Sequence, residues 1–142
     1  MMALFTDNEE ERIREAIETA EALTSGEIRL CVEKHCSEPT LDRAANYFAK
    51  LGMDKTALRN GVLIYMAVED HKFAIIGDAG INKVVPDDFW DKTKEEMRDH
   101  FKSGNLVDGI LIGIKMAGEE LKHYFPNQSG DKNELPNDIS YM

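Results

Sequence analysis

The run Gly61-Val62-Leu63-Ile64-Tyr65-Met66-Ala67-Val68 constrains the fold more than any other part of this chain. It carries no charge and is rich in β-branched residues. It is also far shorter than the roughly 20 apolar residues a bilayer-spanning helix needs. Such a run reads as a strand buried on both faces. A strand covered on both sides needs helices above and below it, which is the layout of an α/β domain. The polar turn Glu69-Asp70-His71-Lys72 sends the chain back, and Phe73-Ala74-Ile75-Ile76 reads as the returning strand of a hairpin.

Helical patterns flank this hairpin. Thr6 and Glu9 have the spacing of a capping box, and Ile13, Ala16, Ile17, Ala20 and Leu23 follow at helical intervals until Ser25-Gly26. From Glu27 to Cys36 the pattern alternates, with Ile28, Leu30 and Val32 opposite Arg29, Cys31 and Glu33. That predicts a half-buried strand near a sheet edge. A second helix is predicted from Thr40 to Leu51, closed by Gly52. A third opens at Pro86-Asp87-Asp88, where proline suits the first turn and acids suit the positive dipole end, and it stops at Gly104. A fourth runs from Leu106 to Phe125, stopped by Pro126. The expected architecture is a three-layer α/β/α sandwich with a small mixed sheet of three to four strands and about four helices. Residues 1–126 form the domain in this reading, and 127–142 a polar, flexible tail.

The length of 142 residues suits one core. A net charge of −10 and a pI near 4.8 argue against nucleic acid and anionic membranes as partners. The first residues lack a basic stretch followed by a long apolar one, so a cytoplasmic location is expected. The chain is read as a monomer, with room for a protein partner. Cys31 and Cys36 fall on opposite faces of one strand and are expected as free thiols.

Connectivity places distant residues together. The first strand, second helix and second strand form a βαβ unit, so those strands are parallel, and the hairpin makes the third antiparallel. Glu27, Asn60-Gly61 and Gly77-Asp78 then share one sheet edge. The start of the third helix brings Asp87 and Asp88 towards it, and the fourth helix ends there. The opposite edge gathers His35, Cys36, Glu69, Asp70 and His71, at the carboxyl ends of the parallel strands, where α/β sheets commonly bind ligands. It is a rival site.

The first edge is rich in oxygen donors of the kind that Ca²⁺ or Mg²⁺ takes: Glu27, Asp78, Asn82, Asp87 and Asp88. Gly77 and Gly80 permit the turn that would point carbonyls inward. The plainer reading is that Asp87 or Asp88 caps a helix, Asp78 ends a strand and Glu27 is solvated. No contiguous EF-hand pattern exists, so any affinity is expected to be modest. Phosphatase chemistry has thin support. Cys36 and Arg43 have the wrong spacing for a cysteine phosphatase. A two-metal site would need further ligands beside Asp78, Asp87 and Asp88. Arg59 is either a phosphate-steering group or a surface residue. Cys31 and His35 lie about 13 Å apart on an extended strand, too far to share a zinc ion.

The order Ser25-Gly26-Glu27-Ile28, Asn60-Gly61-Val62-Leu63-Ile64, Ile76-Gly77-Asp78-Ala79-Gly80-Ile81, then Phe101-Lys102-Ser103-Gly104 and Gly109, resembles the TPM domain family. The resemblance spans roughly residues 9–125. It implies an α/β/α sandwich, divalent-cation binding by acidic loops, and in some members a weak phosphatase activity. Many members carry Gly-aromatic-Gly-Leu-Glu where this chain has Gly77-Asp78-Ala79-Gly80-Ile81-Asn82. Many also carry a signal peptide and a membrane anchor. The sequence is therefore read as a stand-alone, non-enzymatic module for Ca²⁺ or Mg²⁺. The alternatives are a weak metal-dependent acid phosphatase and a metal-free protein-interaction adaptor.

Overall fold

The structure is a computed structural model that describes residues 4–127 and 139–141. Thr6 caps α1 (Asp7–Glu21): its hydroxyl accepts from the Glu9 amide while the Glu9 carboxylate accepts from the Thr6 amide. Next come β1 (Glu27–Glu33), α2 (Thr40–Lys50), a 3-10 turn (Met53–Lys55), β2 (Gly61–Ala67) and β3 (Lys72–Gly77). A single helical turn, α3 (Ala79–Asn82), leads to α4 (Asp91–Lys102) and α5 (Leu106–Tyr124), and β4 (Ser140–Tyr141) ends the described chain.

The sheet order is β3-β2-β1-β4. β1 and β2 run parallel with Glu27 opposite Gly61, and β2 and β3 run antiparallel with Val62 opposite Gly77. Ile28, Leu30, Val32, Val62, Ile64 and Met66 face α1, α4 and α5. Cys31, Leu63, Tyr65 and Ala67 face α2. Helices therefore cover both faces, and the three-layer mixed sandwich holds. α5 lies close against α1: a Cβ on Gly118 would stand 2.9 Å from the Ala20 backbone, so only glycine fits there.

Four local expectations change. β1 is an interior strand, because β4 pairs in parallel along Cys31 and Val32 on the side away from β2. Glu27 and Glu33, at its two ends, are also buried, Glu27 beside Glu21 and Glu33 among Arg43, Tyr47 and Tyr65. The helix expected at Pro86 begins at Asp91; residues 87–90 form turns whose amides, Phe89 to Pro86 and Asp91 to Asp88, bond locally. The one-turn α3 was not expected. The tail lies mostly outside the described residues, but its Ser140–Tyr141 is β4. Both cysteines are free, as expected, and both are buried. Among the described residues, no helix is long and apolar enough to cross a membrane.

Candidate functional site

The first edge assembles as the connectivity requires. The Glu27 amide donates to the Asn60 carbonyl at 3.3 Å, and the Asp78 amide donates to the Gly61 carbonyl at 3.0 Å. The end of α5 reaches the same edge, where the Ser25 amide donates to the Phe125 carbonyl at 2.8 Å. The Thr24 hydroxyl donates to that carbonyl and accepts from the Gly26 amide, and the Asn60 side chain donates to the Ser25 hydroxyl. This polar seam explains why Ser25-Gly26-Glu27 and Asn60-Gly61 belong together, although 33 residues separate Gly26 from Asn60 in the chain.

Asp78 has three donors. Arg59 holds it bidentately, Nε to Oδ2 at 2.7 Å and Nη2 to Oδ1 at 2.8 Å, and its Oδ1 accepts from the Ala79 amide at 2.7 Å, capping α3. Burial pushes this carboxyl up, but the Arg59 and Ala79 bonds outweigh it and hold the group below its ordinary range. Arg59 has left-handed backbone geometry, φ +52°, uncommon for a residue with a side chain. Its carbonyl accepts from the Gly80 amide at 2.8 Å. A Cβ on Gly80 would lie 2.2 Å from the Leu58 carbonyl oxygen, so glycine is what lets the two loops touch. Arg59 is thus a surface residue, as one reading had it, with its guanidinium committed to Asp78.

The other expected ligands are placed as follows. Asn82 folds back on the loop, donating from Nδ2 to the Gly77 carbonyl at 3.2 Å. Asp87 and Asp88 are exposed, in the turn that Phe89 anchors against Trp90 and Tyr124 at the end of α5. They reach the right end of the molecule without bonding to the Asp78 loop. Among the described residues, no three His, Cys, Asp or Glu side chains converge closely enough to enclose an ion.

Glu27, only 3% exposed, faces Glu21 from the last turn of α1. Glu21 accepts from the Ile28 amide at 2.8 Å through Oε2, while its buried Oε1 receives no N–H or O–H bond from the protein. Burial raises the Glu21 carboxyl to about 8, and the neighbouring Glu27 adds to the rise. At neutral pH the Glu21 carboxyl therefore keeps its proton. Sequence reasoning missed Glu21 because it sits at the helix end among other acids. Only the α1–β1 reversal turns it inward.

The rival edge is an ion-paired cluster. His35 meets Glu69 at 2.8 Å and Asp70 at 3.1 Å, and Asp70 also accepts from the Cys36 amide at 2.6 Å. Beside it, buried Glu33 accepts from Arg43 at 2.9 and 3.0 Å, from Tyr47 at 3.1 Å and from Tyr65. Burial pushes Glu33 up; the Arg43, Tyr65 and Tyr47 bonds together keep it ionised.

A small mixed sheet with glycine-bounded loops at one edge and helices on both faces is an architecture shared by α/β binding and catalytic domains alike. The family is settled by comparison: the TPM domain profile matches residues 2–120, and the chain belongs to that family. Among solved structures, it is similar to the BA42 protein of the psychrophilic bacterium Bizionia argentinensis. The identity is 49%, with a TM-score of 0.94, over 100% of this chain and 98% of the other. The N-terminal domain of the cg2496 protein of Corynebacterium glutamicum shares the fold at 13% identity and a TM-score of 0.64, over 98% of this chain and 80% of the other. No curated protein matches.

Proposed function

We propose that this TPM domain is a non-enzymatic binding module that takes Ca²⁺ or Mg²⁺ at the Glu27 edge. The observation that supports this reading is the Glu21–Glu27 pair. Oε1 of Glu21 is buried with no N–H or O–H donor of the protein on it, and the neighbouring Glu27 carboxyl raises the same group. A buried carboxyl oxygen without a donor is stabilised by something positive on Glu21: a proton, or a divalent ion that replaces it. Two carboxylates supply charge. The remainder of the six to eight oxygens Ca²⁺ takes would come from carbonyls and water, so affinity of roughly millimolar order is expected. Asp78 belongs to a supporting shell, since Arg59 already neutralises it. Asn82, Asp87 and Asp88 stand at the rim.

The test is a titration of backbone amide shifts with CaCl₂ and MgCl₂ at pH 6.5 and pH 8.5. Saturable shifts at residues 21–28 and 59–62, tighter at the higher pH and lost in Glu21→Gln, support the module. Unchanged spectra up to about 10 mM of either ion would remove it. Aryl phosphate hydrolysis that disappears on chelation would replace it with the phosphatase reading.

A further inference from the structure

At the His71 end of the sheet, on the α4–α5 side, lies a cavity of about 470 Å³, within the size range of small-molecule sites. Its floor is apolar: Met66, Val68 and Phe73 from the hairpin, with Phe101 and Leu106 from the α4–α5 corner. Phe73 and Phe101 meet edge to face at 5.1 Å between ring centres. Its rim is basic. Lys72 and His71 come from the hairpin turn, and Arg98 and Lys102 from adjacent turns of α4. Arg98 sits over the Phe73 ring, 5.7 Å from its centre.

That grouping runs against the rest of the molecule. The chain has 27 acids and 17 Lys or Arg, yet no acid lines this cavity. Among the described residues, neither Arg98 nor Lys102 forms an ion pair, although the α4 acids Glu95 and Asp99 are near them in sequence. The two nearest acids on the hairpin, Glu69 and Asp70, are occupied by His35 on the other side. Lys72 donates to the Cys36 carbonyl at 3.4 Å, which leaves Arg98 and Lys102 as two cations without an ion-pair partner beside an apolar hollow, complementary to an anion with a hydrophobic body. His71 adds a second sign of construction. Its φ of +54° holds a histidine, not a glycine, in left-handed geometry at the mouth of the hollow.

We infer that this cavity is a binding site for a small amphipathic anion, a carboxylate on an aliphatic tail. The tail occupies the space over Phe73, Phe101 and Leu106, and the carboxylate lies between Arg98 and Lys102. The site is at the opposite end of the β2–β3 hairpin from Glu27 and is independent of the cation reading.

Decanoate is the probe, titrated into ¹⁵N-labelled protein. Decanol and decyltrimethylammonium serve as the uncharged and cationic counterparts. The expected result is saturable shifts confined to residues 66–73 and 98–106, with decanoate binding roughly tenfold more tightly than either counterpart. Arg98→Gln with Lys102→Gln changes only exposed side chains, so the spectrum keeps its dispersion while decanoate affinity falls about tenfold. Three results would each overturn the inference: no saturable shift, shifts spread over other faces, or equal binding of the cationic counterpart. Decanoate bound undiminished by the double variant would overturn it too. A peptide rather than a small molecule would declare itself by shifts along the outer edge of β3 with none at Phe101 or Leu106.

Discussion

Replacing Glu21 with glutamine isolates the proton held on Glu21 beside Glu27. The amide keeps an oxygen for the Ile28 N–H and offers Glu27 a permanent donor, so the variant mimics the protonated pair. The native Glu21 carboxyl lies at about 8, against an ordinary value of 4.5. Native protein therefore keeps a proton across this window that the unfolded chain has released. Stability from the pair is complete below 4.5 and is lost as pH rises through about 8. The full gap, at about 1.4 kcal/mol per tenfold, would amount to about 5 kcal/mol. Glu21 is partly open to solvent, so a loss of about 2 kcal/mol is expected. Urea denaturation of both proteins at pH 5, 7 and 9 reads this directly. The two should agree at pH 5 within about 0.5 kcal/mol, and the variant should be the more stable by about 2 kcal/mol at pH 9. Using the difference cancels other titrations, such as that of His35, which also sits above its ordinary value because of Asp70. A difference that does not change with pH would refute the Glu21 proton and with it the support for a cation there.

Three further outcomes rest on the same geometry. Gly80→Ala forces a Cβ into the Leu58 carbonyl and should lower stability by about 2–3 kcal/mol in urea melts. Glu33→Gln leaves Arg43, Tyr47 and Tyr65 without their common acceptor charge. A loss of about 3 kcal/mol is expected, with a shifted tyrosine absorbance titration. Arg59→Ala strips Asp78 of its bidentate partner and should cost about 1–2 kcal/mol at pH 7. Because Asp78 is held below its ordinary value, that contribution exists above pH 4 and fades as pH falls, so the variant and native protein converge in acid.

The sequence by itself determined what depends on period and order. The β2 run could only be a central strand, and its burial on both faces bears this out. Thr6 and Glu9 announced α1, and the βαβ connection with its hairpin placed Glu27, Asn60 and Asp78 on one edge. These are local rules: hydrophobic spacing, caps and the handedness of connections act over a few residues or one crossover. Tertiary structure decided everything that depends on which groups meet. Glu27 looked solvated because the strand alternates, but the α1–β1 reversal and the Asn60 loop bury it beside Glu21. Burial there raises the Glu21 carboxyl, and α2 and β2 bring Arg43, Tyr47 and Tyr65 to Glu33, the centre of a four-donor network. Arg59 reads as a surface cation from its neighbours, yet it spans to Asp78, 19 residues on, and quenches the acid that most resembled a ligand. Electrostatics inside a fold is set by desolvation and by partners brought from afar, and neither is written in the spacing of one segment.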